Sequence, residues 1–311
     1  IRGCQDLYFE NNLFDNRRWQ LKQFNNDPLD GYTGPFTFNF QLIRLAEDNG
    51  QGITSCDGNV IKGFDLDAPL ILFMSMGRPV TMRRTKIINT YITGQPIFDF
   101  RAPIDIALFE DITMEDSKGQ LASVLGSGPS LKVILMNSIF VRHDFAEGTL
   151  IGSAIRYTLV LNNLFIDNFN TKGPIFSQDG GSLKAYSNAF LFHKRLGNGA
   201  IFQLTKCEFS DEASLYIGNG SGNRGGVLFA VATEEVILKN NLYYDSYAVD
   251  SGAVLYASSG SEIISENNKF VHNGAFESQY NLPEIDEFRN WRFTFSFDKY
   301  FTMLTEFVKF S

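Results

Sequence analysis

Cysteine is scarce. Three residues (Cys4, Cys56 and Cys207) in a chain of 311 cannot all pair within it. Cys4 and Cys56 can join, but the spacings fit neither a zinc site nor a dense disulfide framework, so they leave the compartment open. Long apolar runs are missing too. The most apolar stretch, Ala68 to Met76, falls far short of the ~20 residues a membrane-spanning helix needs. Positive charge is in deficit, with 27 Lys and Arg against 35 Asp and Glu, a net charge of −8 and a pI near 5.0. That balance argues against nucleic acid or an anionic membrane as the main partner, because both attract basic surfaces. An initiator Met and a signal peptide are also missing from the stretch Ile1 to Ser311, which reads as a processed piece of a larger protein.

What is abundant is phenylalanine, at 30 residues, most of which must lie inside something. Apolar residues make up 44% and charged residues 20%, ordinary for a globular chain. The length exceeds one usual domain, but a repeat architecture escapes that limit because each unit packs only on its neighbours.

A repeat is present. An Asn-rich turn followed by an aromatic ends at Phe140, Phe165, Phe190, Tyr243 and Phe270. The first three are 25 residues apart, the last two 27, and the gap of 53 between Phe190 and Tyr243 holds a degenerate copy, Lys206-Cys207-Glu208-Phe209. A second landmark runs in parallel: Gly152-Ser153-Ala154-Ile155, Gly173-Pro174-Ile175, Gly199-Ala200-Ile201, Gly226-Val227-Leu228 and Gly252-Ala253-Val254. Seven residues before each aromatic sit Val133, Thr158, Leu183, Val236 and Ile263; five before sit Leu135, Val160, Ala185, Leu238 and Ser265. This alternation of period two predicts half-buried strands with both sets facing inward. Asn163, Asn188, Asn241 and Asn268 fall two before the aromatic, and Asn137, Asn162, Asn240 and Asn267 three before. Asn tolerates left-handed backbone angles, so it suits corners, and stacked coil on coil it can form amide ladders.

These patterns predict an all-β fold: a right-handed parallel β-helix with ~25–27-residue coils. About ten to twelve coils at ~4.8 Å each make a rod of roughly 50–60 Å. The expected organisation is irregular N-terminal coils or a cap with loop insertions over 1–54, the β-helix over 55–276, and a C-terminal cap or the start of further structure over 277–311. The earlier half echoes the motif in Asn11-Asn12-Leu13-Phe14 and in Gly94-Gln95-Pro96-Ile97-Phe98.

The Gly-x-Ala-Ile/Val signature followed by Asn-Asn-x-Phe resembles the pectin-lyase-like β-helix superfamily, most of all its repeat-rich surface proteins. The likeness covers residues 150–275 well and 55–150 weakly. Members include polysaccharide lyases, glycoside hydrolases, adhesins and structural rods, so the resemblance implies an architecture and leaves activity open. The hydrolase pattern Asn-Thr-Asp meets only Asn89-Thr90-Tyr91, which lacks the acid; its Asp-Asp pair and Gly-His-Gly have no counterpart. Asp167, Asp211 and Asp245 each follow a turn aromatic by two residues and read as solvated corners in preference to a calcium row. His143 and His193 follow by three and His272 by two, which places them on one corner as surface residues, His143 and His193 roughly 10 Å apart at ~4.8 Å per coil. The Gly218–Gly226 loop lacks the Gly-Lys-Ser/Thr of a phosphate loop. It holds the one Asn-x-Ser/Thr sequon, making Asn219 a candidate glycosylation site.

One row suggests a partner surface. If Ile155, Ile175, Ile201, Leu228 and Val254 point inward, Phe176, Phe202, Phe229 and Leu255 stack outside as an interaction ladder; with the phase reversed or bulged they are core. The leading expectation is a non-enzymatic scaffold without cofactor or metal, at the cell surface or outside the cell. It would contact other protein chains of a larger assembly through a flat face or an open end. A polysaccharide lyase or glycoside hydrolase and a carbohydrate-binding adhesin are the rivals.

Overall fold

The computed structural model describes residues 7–15, 43–45, 54–66, 69, 71–73, 79–100, 104–124, 131–145, 149–152, 157–170, 173–258 and 260–275. Its elements are all β, and every strand pair is parallel. The chain is a parallel β-solenoid whose turns take about 26 residues.

Two ten-stranded sheets run its length. The first sheet carries Leu7–Glu10, Thr54–Asp57, Val80–Arg83, Ile106–Glu110, Lys132–Met136, Tyr157–Leu161, Ser182–Tyr186, Glu208–Glu212, Glu235–Lys239 and Glu262–Glu266, here coils 1 to 10. Each is followed by a two-residue corner and a three-residue strand of the second sheet, from Leu13–Asp15 in coil 1 to Lys269–Val271 in coil 10. The remaining side is built from shorter stacks, including Phe176–Asp179, Phe202–Thr205, Leu228–Val231 and Leu255–Ala257. Coil 1 already hydrogen-bonds into both long sheets, so the stacks reach back to Leu7. Residues 277–311 lie outside the described residues.

The inward phase follows the alternation. Val133, Leu135, Thr158, Val160, Leu183, Ala185, Val236 and Leu238 are all buried. The turn aromatics form a column in the bore: Phe140, Phe165, Phe190, Tyr216, Tyr243 and Phe270 stack at 4.8–5.2 Å with planes within 9°. Each buried ring contributes about 1.5–3 kcal/mol by burial, with stacking adding about 0.5–1.5 kcal/mol. Tyr216, and not Phe209, is the missing copy: Tyr216 pairs with Phe190 and Tyr243, whereas Phe209 pairs with Leu183 and Val236 in the first sheet. The gap of 53 therefore splits into ordinary coils.

Corners divide their labour. Asn137, Asn162, Asn240 and Asn267 adopt φ of 53–55°, the left-handed conformation that Asn accepts at little cost. The next residue turns its amide inward. Asn163 accepts the Ser138 N–H at 2.9 Å and donates to the Leu135 carbonyl at 3.0 Å; Asn188 accepts from Asn163 N–H at 3.0 Å and donates to Val160 at 2.9 Å. Asn241 and Asn268 repeat this. Every amide thus reaches back to the preceding coil, so the ladder has a direction.

Candidate functional site

A second column of corner residues follows the second sheet, one per coil, and it is interior. Asn168 Oδ1 accepts the His143 N–H at 2.8 Å and its Nδ2 donates to the Phe140 carbonyl at 3.1 Å; Asn219 serves His193 N–H and Phe190 in the same way. His143 and His193 occupy this column, two coils apart with Asn168 between them. They are 1% and 2% exposed, which overturns the expectation of surface corners. The corner residue that points outward is the left-handed one before them, where His272 (φ 53°) sits exposed. His143 Nε2 lies 2.6 Å from the Gly119 carbonyl, so that nitrogen carries the proton. Burial holds the His143 pKa down to about 4 and the His193 pKa down to about 3, the latter against the pull of the Asn168 and Phe165 carbonyls. Neither ring nitrogen of His193 completes a hydrogen bond among the described residues.

One coil on, a carboxylate stands in the bore. Asp211 takes the first-sheet register of Ala185 and Leu238, both inward positions. The Ser214 hydroxyl donates to Oδ1 at 2.7 Å and the Tyr216 hydroxyl to Oδ2 at 2.8 Å. Tyr243 stacks on Tyr216 at 4.9 Å. Burial pushes the Asp211 pKa up to about 7 despite those two donors. A carboxylate row at solvated corners is therefore not formed: Asp211 is inside, while Asp167 and Asp245 sit on left-handed corners outside. Both oxygens of Asp211 are occupied within a sealed core, so this acid has the altered pKa of an active site without access for a substrate. Cys56 and Cys207 are buried free thiols whose pKa values burial pushes up to about 12, which leaves them unreactive. Cys4 lies outside the described residues.

The outer face of the first sheet is apolar in its middle. Leu108, Ile134 and Leu159 form its centre column across coils 4 to 6, with Met136 and Leu161 beside them, all partly exposed. Charge bounds this patch on both sides: the Arg83–Glu110 ion pair (2.8 Å) before it, and Lys184, Glu208 and Glu212 after it. Around the corner, on the outside of the second sheet, Leu191, Leu215 and Ile217 form a separate apolar cluster with Leu164 and Ile166 packed against it.

No family model matches the chain, and no curated protein or solved structure matches it.

The candidate ladder Phe176, Phe202, Phe229 and Leu255 is corrected by the register. Phe176 pairs with Phe202, Phe202 with Leu228 and Leu228 with Leu255, all facing or packing on the core. Phe229 instead pairs with Gln203 and Tyr256, outside, and stacks on the Tyr256 ring at 5.3 Å. Two physical reasons combine. At this corner two successive residues turn inward, as Ile175 with Phe176 and Ile201 with Phe202. The repeat glycine is also Gly225, not Gly226: Gly199, Gly225 and Gly252 share φ near 65°, and a Cβ on any of them would stand 2.3 Å from a carbonyl three residues on. A slip of one residue flips every side chain to the other face.

Asn219 fares likewise as a glycosylation site. Its amide is fully buried and bonded at both ends, and the sequon hydroxyl of Ser221 donates to the Gly197 carbonyl at 2.6 Å. The folded rod presents no acceptor there. Among the described residues no group of three or more His, Cys, Asp or Glu side chains is placed to hold a metal, and no helix is long and apolar enough to cross a membrane.

Proposed function

We propose that this chain is a non-enzymatic β-solenoid scaffold, of the pectin-lyase-like surface type, that binds another protein chain of an extracellular or cell-surface assembly on the apolar outer face of its first sheet. The observation that carries this reading is the partly exposed block of Leu108, Ile134, Leu159, Met136 and Leu161, framed by charge. A contiguous apolar patch with a polar rim is the usual mark of a protein contact. The buried imidazoles and the buried acid support it from the other side. His143, His193 and Asp211 are sealed in the bore, where they stabilise or strain the fold and meet no solvent.

The adhesin alternative has one observation in its favour. Phe229 and Tyr256 are stacked, partly exposed aromatics outside the rod, with the Arg224 guanidinium 5.0 Å over the Tyr256 ring, a grouping of residue types that carbohydrate sites use.

The test joins two measurements. The double variant Ile134→Asp, Leu159→Asp is expected to lose its native assembly, as judged by native mass spectrometry of material isolated from the source, with an unchanged circular dichroism melt. Ser210→Asp, on the same column beyond the patch, is expected to keep it. Assembly undiminished in the double variant sinks the reading. So does release of reducing ends or unsaturated products from a panel of acidic and neutral polysaccharides with calcium. Binding to that panel that Tyr256→Ala abolishes favours the adhesin.

A further inference from the structure

Two unsatisfied features share the outer face of the first sheet. The apolar strip runs obliquely over coils 4 to 7, from Ile106 (41% exposed) through Ile134 and Leu159 to Tyr186. Beside it, in coils 8 to 10, Glu208, Glu235 and Glu262 stand in register, Glu208 paired with Glu235 and Glu235 with Glu262. Strand stacking sets them ~4.8 Å apart. Like charges placed directly opposite destabilise a sheet.

The other acids of this face are answered locally. Arg84 holds Asp57, Arg83 holds Glu110 at 2.8 Å, the Ser55 hydroxyl donates to Glu10 at 3.1 Å, and Lys239 holds Glu266 at 3.0 Å. Among the described residues no cation pairs with Glu208, Glu235 or Glu262. Lys184 stands diagonal to Glu208 and reaches neither of the others. The strip and the column together suit one occupant, apolar along part of its length and basic along the rest.

Repeat distances decide the form of that occupant. Coil 4 to coil 10 spans about 29 Å, the length of a helix of roughly 19 residues. Helix residues three or four apart meet successive coils, and seven residues advance about 10.5 Å against ~9.6 Å for two coil steps. An extended segment repeats a face every ~6.7 Å and loses that register within two coils. A second rod would match the repeat, but the strip covers on the order of 200 Å², against the ~800 Å² a side of a stable dimer. The described residues also stack no column of three cations that a second copy could offer.

We propose, resting on the docking at this face put forward above, that the partner engages it with a single amphipathic α-helix laid along the rod axis. Its apolar residues cover coils 4 to 7, and Lys or Arg on successive turns meet Glu208, Glu235 and Glu262. The net charge of −8 works in the same direction, drawing a basic helix in from a distance.

Three labelled peptides of about 20 residues, long enough to span the face, test this on the full chain by fluorescence anisotropy. One carries Leu and Lys at helical spacing, one has the same composition in strict alternation, and one is helical with Glu in place of Lys. The helical Leu/Lys peptide is expected to bind, and the other two far more weakly. Glu208→Gln, Glu235→Gln and Glu262→Gln together weaken it about tenfold, the worth of three exposed ion pairs. They also remove most of its salt response between ~0.1 M and ~1 M, where the reach of charge falls from about 10 Å to about 3 Å. This triple variant melts no lower than the parent, because a repulsion is relieved, so lost binding is not lost folding. Asp116→Asn, Asp167→Asn and Asp245→Asn, an equal change of charge on the corner after the second sheet, leave binding intact. Equal binding of the alternating peptide, or of the Glu peptide, overturns the proposal. So does a native assembly that Ile134→Asp, Leu159→Asp destroys but the glutamate variant leaves unchanged in strength and salt response; docking at the face then stands without a basic helix. An assembly indifferent to both variants removes the docking itself.

Discussion

Inside a solenoid, a polar side chain is stable when its hydrogen bonds reach a neighbouring coil, and His193 fails that condition where Asn168 and Asn219 on either side meet it. His193→Asn is expected to raise stability by about 1–2 kcal/mol in a chemical melt, since the new amide can accept the Asn168 N–H and donate to the Phe165 carbonyl. Protonation adds a sharper test. His143 and His193 ordinarily titrate near 6.5 and are held near 4 and 3. The unfolded chain therefore binds their protons first, and the stability they confer is lost as pH falls below 6.5. Asp211 runs the other way: its pKa rises from 3.8 to about 7, so its contribution is present below pH 4 and lost as pH climbs to 7. Between pH 4 and 6.5 the two histidines outweigh the one acid, and stability rises with pH. Asp211→Asn should steepen that rise by about 1.4 kcal/mol per pH unit, and His193→Asn should flatten it by as much. Melts that give both variants the slope of the parent would show that these groups keep their ordinary pKa values in the folded rod.

At the scale of the corner and strand, two adjacent asparagines of one motif have unlike roles. Asn188 supplies an acceptor and a donor to the coil before it; Asn188→Ala leaves a buried N–H and a buried carbonyl unmet and should cost about 2–4 kcal/mol. Asn162 is exposed and contributes a left-handed backbone at φ 53°. Asn162→Gly keeps that conformation and should cost less than about 0.5 kcal/mol. Equal losses in paired denaturant titrations would refute the division. That Asn takes the corners and stacks coil on coil was legible in the sequence, because its register repeats; which of the two positions turns its amide inward was not. What stayed hidden arose where one residue type stood in for another. Ser214 replaces the ladder asparagine, so Tyr216 lacked its marker, while Phe209 with an acid two residues later imitated a turn. The histidines were misplaced because their corner column turns inward although it interrupts the strands. The Phe176 row misled because a period-two rule cannot foresee two consecutive inward residues at a bend. The apolar patch of Leu108, Ile134 and Leu159 was within reach: it occupies the outward phase of strands whose inward phase was read correctly.

Over the whole molecule, a solenoid differs from a globular core in how far a defect travels. Each coil touches only its neighbours, so stability is a sum of coil and junction contributions, and losses stay local. Phe190 is fully buried and stacked on Phe165 and Tyr216; Phe190→Ala should cost about 3–5 kcal/mol by leaving a cavity in coil 7. Phe270, half exposed in coil 10, stacks on one ring among the described residues, and Phe270→Ala should cost about 1 kcal/mol or less. Hydrogen exchange followed by mass spectrometry separates the local picture from a global one. In the parent chain, protection should be lower in coil 10, where Ile263 and Phe270 are exposed, than in the coils inward of it. Phe190→Ala should open coils 6 to 8 together and leave coils 2 to 4 unchanged. A uniform fall in protection across all coils would mean that the rod unfolds as one unit.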